Sequence, residues 1–257
     1  MSNPGRVARR VSDSRSDHRP GTPATGRQDE EANMATATTA RPEVAGTGKQ
    51  RTTGVLLAGG IAAGPVFAVS VTAQVLTRDG FDLSRQPLSL LALGEHGWIQ
   101  IATFVMTGLL ALAGAAGMRR VLPPGQPGAL WLPRLVAVFG LGLIVGGVLV
   151  ADPSMGWPAG APQGPAETMS WHAVGHGVGA MLAFCSLTVG CLVFARREAR
   201  LGRPGAAVLS VAGAAVVVLV MAWPHQDSIS VRMALGSAVL FGWLSVVCAR
   251  LLAVTSR

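Results

Sequence analysis

Residues 205–223 read GAAVLSVAGAAVVVLVMAW, nineteen consecutive residues without a charged side chain. As a helix rising 1.5 Å per residue, such a stretch reaches about 28 Å, close to the ~30 Å hydrocarbon thickness of a bilayer. It has no period-2 alternation and is apolar on all sides. That excludes both a barrel strand and an amphipathic surface helix, and leaves a membrane-spanning helix.

Working outward, five more stretches share this character, at about 54–76, 98–118, 133–151, 171–194 and 231–253. None contains Asp, Glu or Lys, and their only arginines, Arg134, Arg232 and Arg250, lie in terminal turns. The expected fold is an all-α membrane protein, a six-transmembrane-helix bundle over residues 53–257. Composition agrees. Of 257 residues, 50% are hydrophobic, 33 are Gly and only 13% are charged, about half the ~25% of a soluble domain. A soluble enzyme, a coiled coil and a chain disordered throughout are excluded.

Residues 1–52 differ in kind. They are rich in Arg, Ser, Thr, Pro and acidic residues and lack an apolar run. Such a segment cannot bury enough surface to offset its chain entropy, so it reads as a disordered basic tail. It lacks the apolar core of a signal peptide, and Met34 within it offers a second candidate start. Of the 21 basic residues only Lys49 is a lysine, as in a GC-rich bacterial coding sequence.

Basic residues alternate between the two sides of the predicted bundle. Nine lie in the tail, Arg119, Arg120 and Arg134 at the second connection, and Arg196, Arg197, Arg200 and Arg203 at the fourth. Arg250 and Arg257 lie near the C-terminus. Only Arg78, Arg85 and Arg232 fall on the opposite side. This bias predicts cytoplasmic N- and C-termini in a multi-pass protein of the plasma membrane. Trp98, Trp171 and Trp223 fall at outer helix ends and Trp131 at an inner one, as interfacial anchors do. Trp243 falls midway along the sixth helix, which suggests packing inside the bundle. The net charge of +8 therefore serves topology and anionic lipid rather than nucleic acid. The expected partner is the lipid bilayer.

Three G-x-x-x-G pairs, Gly60/Gly64, Gly142/Gly146 and Gly175/Gly179, predict close helix packing within the chain, with a homo-oligomer as the alternative. Pro65 should kink the first helix and free a carbonyl for a neighbour or a water. Cys185, Cys191 and Cys248 lie within spans and match no metal-binding spacing.

Most other polar residues gather at the outer ends of the helices. His172 and His176 stand at i and i+4 on one helix face, about 5–6 Å apart, a spacing that can hold one divalent metal ion. Asp152 or His225, with Asp227, could supply a third ligand. The competing reading is that these histidines make hydrogen bonds between helices, and no H-E-x-x-H glutamate is present to act as a base.

The first outer connection carries S-L-L-A-L-G-E-H-G-W-I-Q-I-A-T-F, with Ser89, Gly94, Gly97, Trp98, Ile99, Gln100 and Phe104 in order. This stretch, with a proline in the first helix and a histidine near the start of the fourth, resembles bacterial six-helix membrane proteins catalogued as domain of unknown function 998. The resemblance covers residues 54–253. It implies a multi-pass membrane protein and carries no catalytic residues across. Within the loop, Leu88, Leu90, Leu91 and Leu93 suggest a short helix entered through Pro87 and ended by Gly94. It would either lie in the interface, with Arg85 near lipid phosphates, or cover the helix ends.

Three function classes follow. A non-enzymatic structural, sensory or lipid-interacting bundle needs no catalytic group and is the leading reading. A metal-dependent membrane hydrolase would use His172, His176 and a third ligand. Its H-x-x-x-H is similar to that in alkaline ceramidases and adiponectin receptors, which are seven-helix proteins and match only in this fragment. A small-solute transporter or pore is the third, although the charged groups of ion-coupled carriers are missing from the predicted span cores.

Overall fold

The computed structural model describes residues 42–224 and 228–255. Six helices carry the fold: α1 (Pro42–Thr77), α2 (Gly97–Val121), α3 (Trp131–Val148), α4 (Trp171–Arg200), α5 (Pro204–Ala222) and α6 (Ile229–Thr255). A five-residue 3₁₀ helix, Leu88–Ala92, lies in the first connection. No strand occurs among the described residues, where Ser154 and Trp157 form one isolated bridge. All six helices are long and apolar enough to cross a membrane, with mean hydropathy of 1.8 to 2.4 over their most apolar windows.

What these helices leave outside is as apolar as what they bury. Val55, Leu76, Val208, Leu209, Leu219 and Leu235 are all exposed. A bundle in water would turn charged faces outward, whereas one in lipid has no reason to. The chain is therefore an all-helical membrane protein.

Consecutive helices pack against each other from α2 to α6, and α6 also touches α2 and α4. Its central position lets Phe241, Leu244, Val247 and Cys248 join the common core with Leu57, Phe67, Leu187 and Phe194. Phe241 stacks on Phe67 at 4.4 Å and meets the edge of Phe139 at 5.1 Å. Trp243 sits inside the bundle, donating to the Ser210 hydroxyl at 3.0 Å with its ring edge-on to Phe194. Trp98, Trp131, Trp171 and Trp223 are exposed at helix ends.

The glycines set the closest approaches. A Cβ on Gly60 would overlap the Cys248 sulfur and lie 3.0 Å from the Gly114 Cα. One on Gly142 would lie 2.5 Å from the Gly179 carbonyl oxygen, and one on Gly175 would overlap Leu149. Neighbouring helices of the same chain thus occupy these glycine faces. Pro65 behaves as its chemistry requires. Lacking an N–H, it leaves the Ile61 carbonyl free, and Ser245 of α6 donates to that oxygen at 2.9 Å.

Two boundaries differ from the apolar stretches. Residues 42–52, expected in the tail, are helical. Their polar residues extend a helix already nucleated by its apolar half, and extension costs little once nucleation is met. The Thr52 and Thr53 hydroxyls bond back to the Gly48 and Lys49 carbonyls, and Gln50 donates to Thr255 at the end of α6. α4 continues past Phe194 to Arg200, which brings Glu198 into a helix. The remainder of the expected tail lies outside the described residues.

Candidate functional site

The C-termini of α1, α3 and α5 and the N-termini of α2, α4 and α6 meet at one end, here termed the mouth. The other end is the arginine end. At the mouth, α1 and α2 face each other with polar stripes: Ser70, Gln74 and Arg78 on one side, Gln100, Thr103 and Thr107 on the other. Gln74 Nε2 donates to Gln100 Oε1 at 2.8 Å, and the Ser70 and Thr103 hydroxyls share a bond of 2.6 Å. Gln100 is fully buried, and its own amide nitrogen has no partner. Arg78 completes the chain. It donates to Gln74 Oε1 at 2.9 Å and to the carbonyls of Leu91 (2.8 Å), Leu93 (3.2 Å) and His96.

These bonds explain the loop stretch residue by residue. Leu90, Leu91 and Ala92 of the 3₁₀ helix are buried against the bundle. Gly94 takes a φ of +78°, where a side chain would be strained. Gly97 opens α2 so close to the loop that a Cβ would overlap the Ala92 carbonyl oxygen. Trp98 points outward, Gln100 points inward, and Ser89 lines an internal cavity. Arg85 donates to Gln163 at 3.2 Å, its carbonyl accepts from Ser230, and Gln86 donates to the Met155 carbonyl at 3.0 Å. The connection over residues 149–170 is thereby fastened to the first loop.

The histidines have a different task. α3 stops at Val148, leaving carbonyls with no helical partner. His172 Nδ1 bonds the Val150 carbonyl at 2.7 Å, and His176 Nδ1 bonds those of Gly146 and Leu149 at 2.8 and 3.0 Å. A carbonyl can only accept, so Nδ1 carries the proton in both rings. Asp152 accepts from the Ser170 hydroxyl at 2.7 Å and its backbone N–H at 2.8 Å, while Ser170 caps α4 by accepting from Ala173. These bonds, and the proximity of His172, hold the Asp152 carboxyl below the usual carboxylate range.

His172 is therefore brought to Asp152, with its Nε2 3.9 Å from Asp152 Oδ1, while His176 is engaged one turn deeper with the Gly146 and Leu149 carbonyls. His96 lies apart on the α1–α2 side, with its carbonyl on Arg78. His225 and Asp227 lie outside the described residues. Among the described residues no three His, Cys, Asp or Glu side chains are grouped to hold a metal ion.

Two apolar spaces lie on the mouth side of the bundle. A cavity of about 70 Å³ inside the bundle is lined by Phe67, Phe104, Phe139, Phe241 and small residues, with His176, Ser89 and Ser237 as its polar groups. A larger groove, about 570 Å³, runs between α1 and α6 from Gly64 and Ser245 towards the mouth. Phe67, Leu88, Ala234 and Phe241 line both.

The sequence reading gave no site role to Gln74, Arg78 or Glu198 and no sign of the groove's extent. The polar stripes were detectable as i, i+4, i+8 on α1 and i, i+3, i+7 on α2. The groove had only Pro65 and Gly64 as a sign.

Six apolar helices, held at one end by a fastened pair of loops, define a multi-pass membrane-spanning bundle. Within that class the chain belongs to the family described as a protein of unknown function, DUF998, whose model matches residues 61–250. No curated protein and no solved structure matches it.

Proposed function

We propose that this chain is a non-enzymatic integral membrane protein that holds the hydrocarbon chain of a membrane lipid between α1 and α6. The observation that carries this reading is the groove. Its lining is apolar apart from the hydroxyls of Thr72 and Ser245, and Ser245 is already bonded to Ile61. On α6 it spans Ala234 to Ser245, about 16 Å at 1.5 Å per residue. That is half of a ~30 Å hydrocarbon core, the depth of one leaflet. The internal cavity behind Phe67 and Phe241 extends the apolar path towards His176. Ala68, Ala238 and Gly242 keep the groove open because they have little or no side chain, and Gly64, packed against Ser245 and the Phe241 backbone, closes its inner end.

The arginine bias supports a plasma-membrane orientation with both termini in the cytoplasm, which would place the groove in the outer leaflet. A metal-dependent hydrolase has one observation in its favour, the approach of His172 to Asp152. Metal analysis of the purified protein, with His172→Ala as control, decides it, and wild type without stoichiometric metal ends that reading.

Native mass spectrometry after stepwise delipidation tests the groove. Wild type should retain about one phospholipid per chain after annular lipid is stripped. Ala234→Phe with Ala238→Phe should lose it, while Leu209→Phe on the outer face of α5 should not. Equal retention by all three proteins would refute lipid binding in the groove.

A further inference from the structure

At the arginine end, α4, the α4–α5 turn, α6 and the end of α2 with its following connection enclose a further pocket, of about 270 Å³. Its floor is apolar, built from Phe194, Leu251 and Val254, and its rim carries Arg197, Arg203, Arg250 and Gln126 around Glu198. Glu198 is 1% exposed. Its Oε1 accepts from Arg197 Nη1 at 2.7 Å, and its Oε2 faces Arg203 and Arg250 at 3.7 and 3.8 Å.

The charges do not balance. One carboxylate gathers three guanidiniums, leaving two positive charges without a counter-ion in the cluster. Only Arg197 is within hydrogen-bonding distance. Arg203 and Arg250 feel the carboxylate's field but make no bond to it. Each guanidinium offers five donors in a planar fork, a geometry that fits two oxygens of a carboxylate or phosphate. Arg203 and Arg250 are half-exposed, at 51% and 45% of their side chains, so these donors can reach a ligand from outside. Arg197 is buried, lines the same pocket, and has an Nε–H with no partner.

A carboxylate that assembles arginines without consuming their donors has built an anion site. We infer that Arg203 and Arg250, backed by Arg197, bind a phosphate group at this end of the bundle. Glu198 acts as the positioning residue. It holds the guanidiniums together against their mutual repulsion, and the apolar floor receives whatever apolar group adjoins the phosphate. That phosphate can be the headgroup of an anionic phospholipid or a free phosphate. This site is separate from the groove at the mouth and does not depend on it.

Thermal unfolding of the full-length protein in detergent tests the inference and separates the two sources. One arm adds phosphatidylglycerol, with phosphatidylcholine as its zwitterionic control. The other adds inorganic phosphate, with chloride at matched ionic strength. Wild type should be stabilised in at least one arm, by phosphatidylglycerol if the source is lipid and by inorganic phosphate if it is soluble. Arg203→Gln with Arg250→Gln should weaken that binding about tenfold or more. Arg196→Gln with Arg200→Gln removes the same charge from exposed positions of α4 outside the pocket and should leave the shift intact. Equal loss in both double variants would reduce the effect to general charge and overturn the site, as would the absence of any shift in wild type. Because the readout is a ligand-induced shift relative to each variant's own baseline, a variant that is merely less stable does not mimic loss of binding.

Discussion

Replacing Gly97 by alanine tests whether the first loop is fastened as the structure indicates. The added Cβ would overlap the Ala92 carbonyl oxygen and stand 2.6 Å from its carbon. Carbon atoms in contact need about 3.5–4.0 Å, so the loop must withdraw by roughly 1 Å. The carbonyls on either side of Ala92, those of Leu91 and Leu93, are the ones Arg78 holds at 2.8 and 3.2 Å. A displacement of that size takes at least one beyond hydrogen-bonding range. Overpacking costs about 1–3 kcal/mol, and one lost bond to a charged donor adds about 1.5–3 kcal/mol. A combined loss near 3 kcal/mol would lower the melting temperature by roughly 6–12 °C on the scale of soluble proteins of this size. The buried thiols of Cys191 and Cys248 are native reporters for a thiol-reactive dye. Gly164→Ala is the control, since a Cβ there meets open space. If Gly97→Ala melts within a degree or two of that control, the loop is not clamped and the account of the 88–100 stretch is wrong. If it is clamped, combining Gly97→Ala with Arg78→Gln should cost less than the sum of the two, because both act on the same bonds.

Ser245→Ala should destabilise the bundle by about 1 kcal/mol by orphaning the Ile61 carbonyl, and Pro65→Ala in the same chain should recover most of it by restoring a helical N–H; unfolding of the four proteins of that cycle measures the coupling. Asp152 has a lowered pKa in the fold, so its contribution is present above the ordinary carboxylate pKa and lost as pH falls through the folded value. Wild type should therefore be more stable than Asp152→Asn at neutral pH and lose that advantage in acid, and parallel melting curves across pH would contradict this. Single cysteines at Ser89 and Gly202, in a background lacking the native three, should label from opposite sides of the membrane, Ser89 from outside; the reverse pattern would invert the proposed orientation.

The fold was legible because lipid imposes one demand that sequence displays directly: a run of apolar residues long enough to cross it. Pro65 was legible for a related reason, since a missing N–H must be answered, and only the identity of Ser245 had to come from three dimensions. Glu198 was obscured because the apolar run ends at Phe194 while the helix continues to Arg200, where three arginines offset the cost of burying its carboxylate. The groove was hidden for the opposite reason. It consists of what small residues on α1 and α6 fail to fill, and a missing side chain looks the same whether the gap is packed, as at Gly60, or open, as at Gly242.

The histidines drew attention in the sequence because titratable residues collect at the mouth, and the structure gives that collection a backbone cause. α1, α3 and α5 end there, and a helix C-terminus leaves carbonyls unbonded with partial negative charge. Near hydrocarbon, with water scarce, side-chain donors become their partners. His172 and His176 serve the residues that end α3, and Arg232 serves α5 by donating to Val220 at 3.1 Å and to Trp223. Arg78 does the same for the first loop. Each Nδ1–H so engaged leaves its imidazole only Nε2 for any other role, and each arginine is held by backbone it cannot leave without exposing carbonyls. Polar residues at the mouth thus close helix ends first, whereas the α1–α6 groove has no such structural duty, and this difference moves the functional reading from the histidines to the apolar gap beside Phe67 and Phe241.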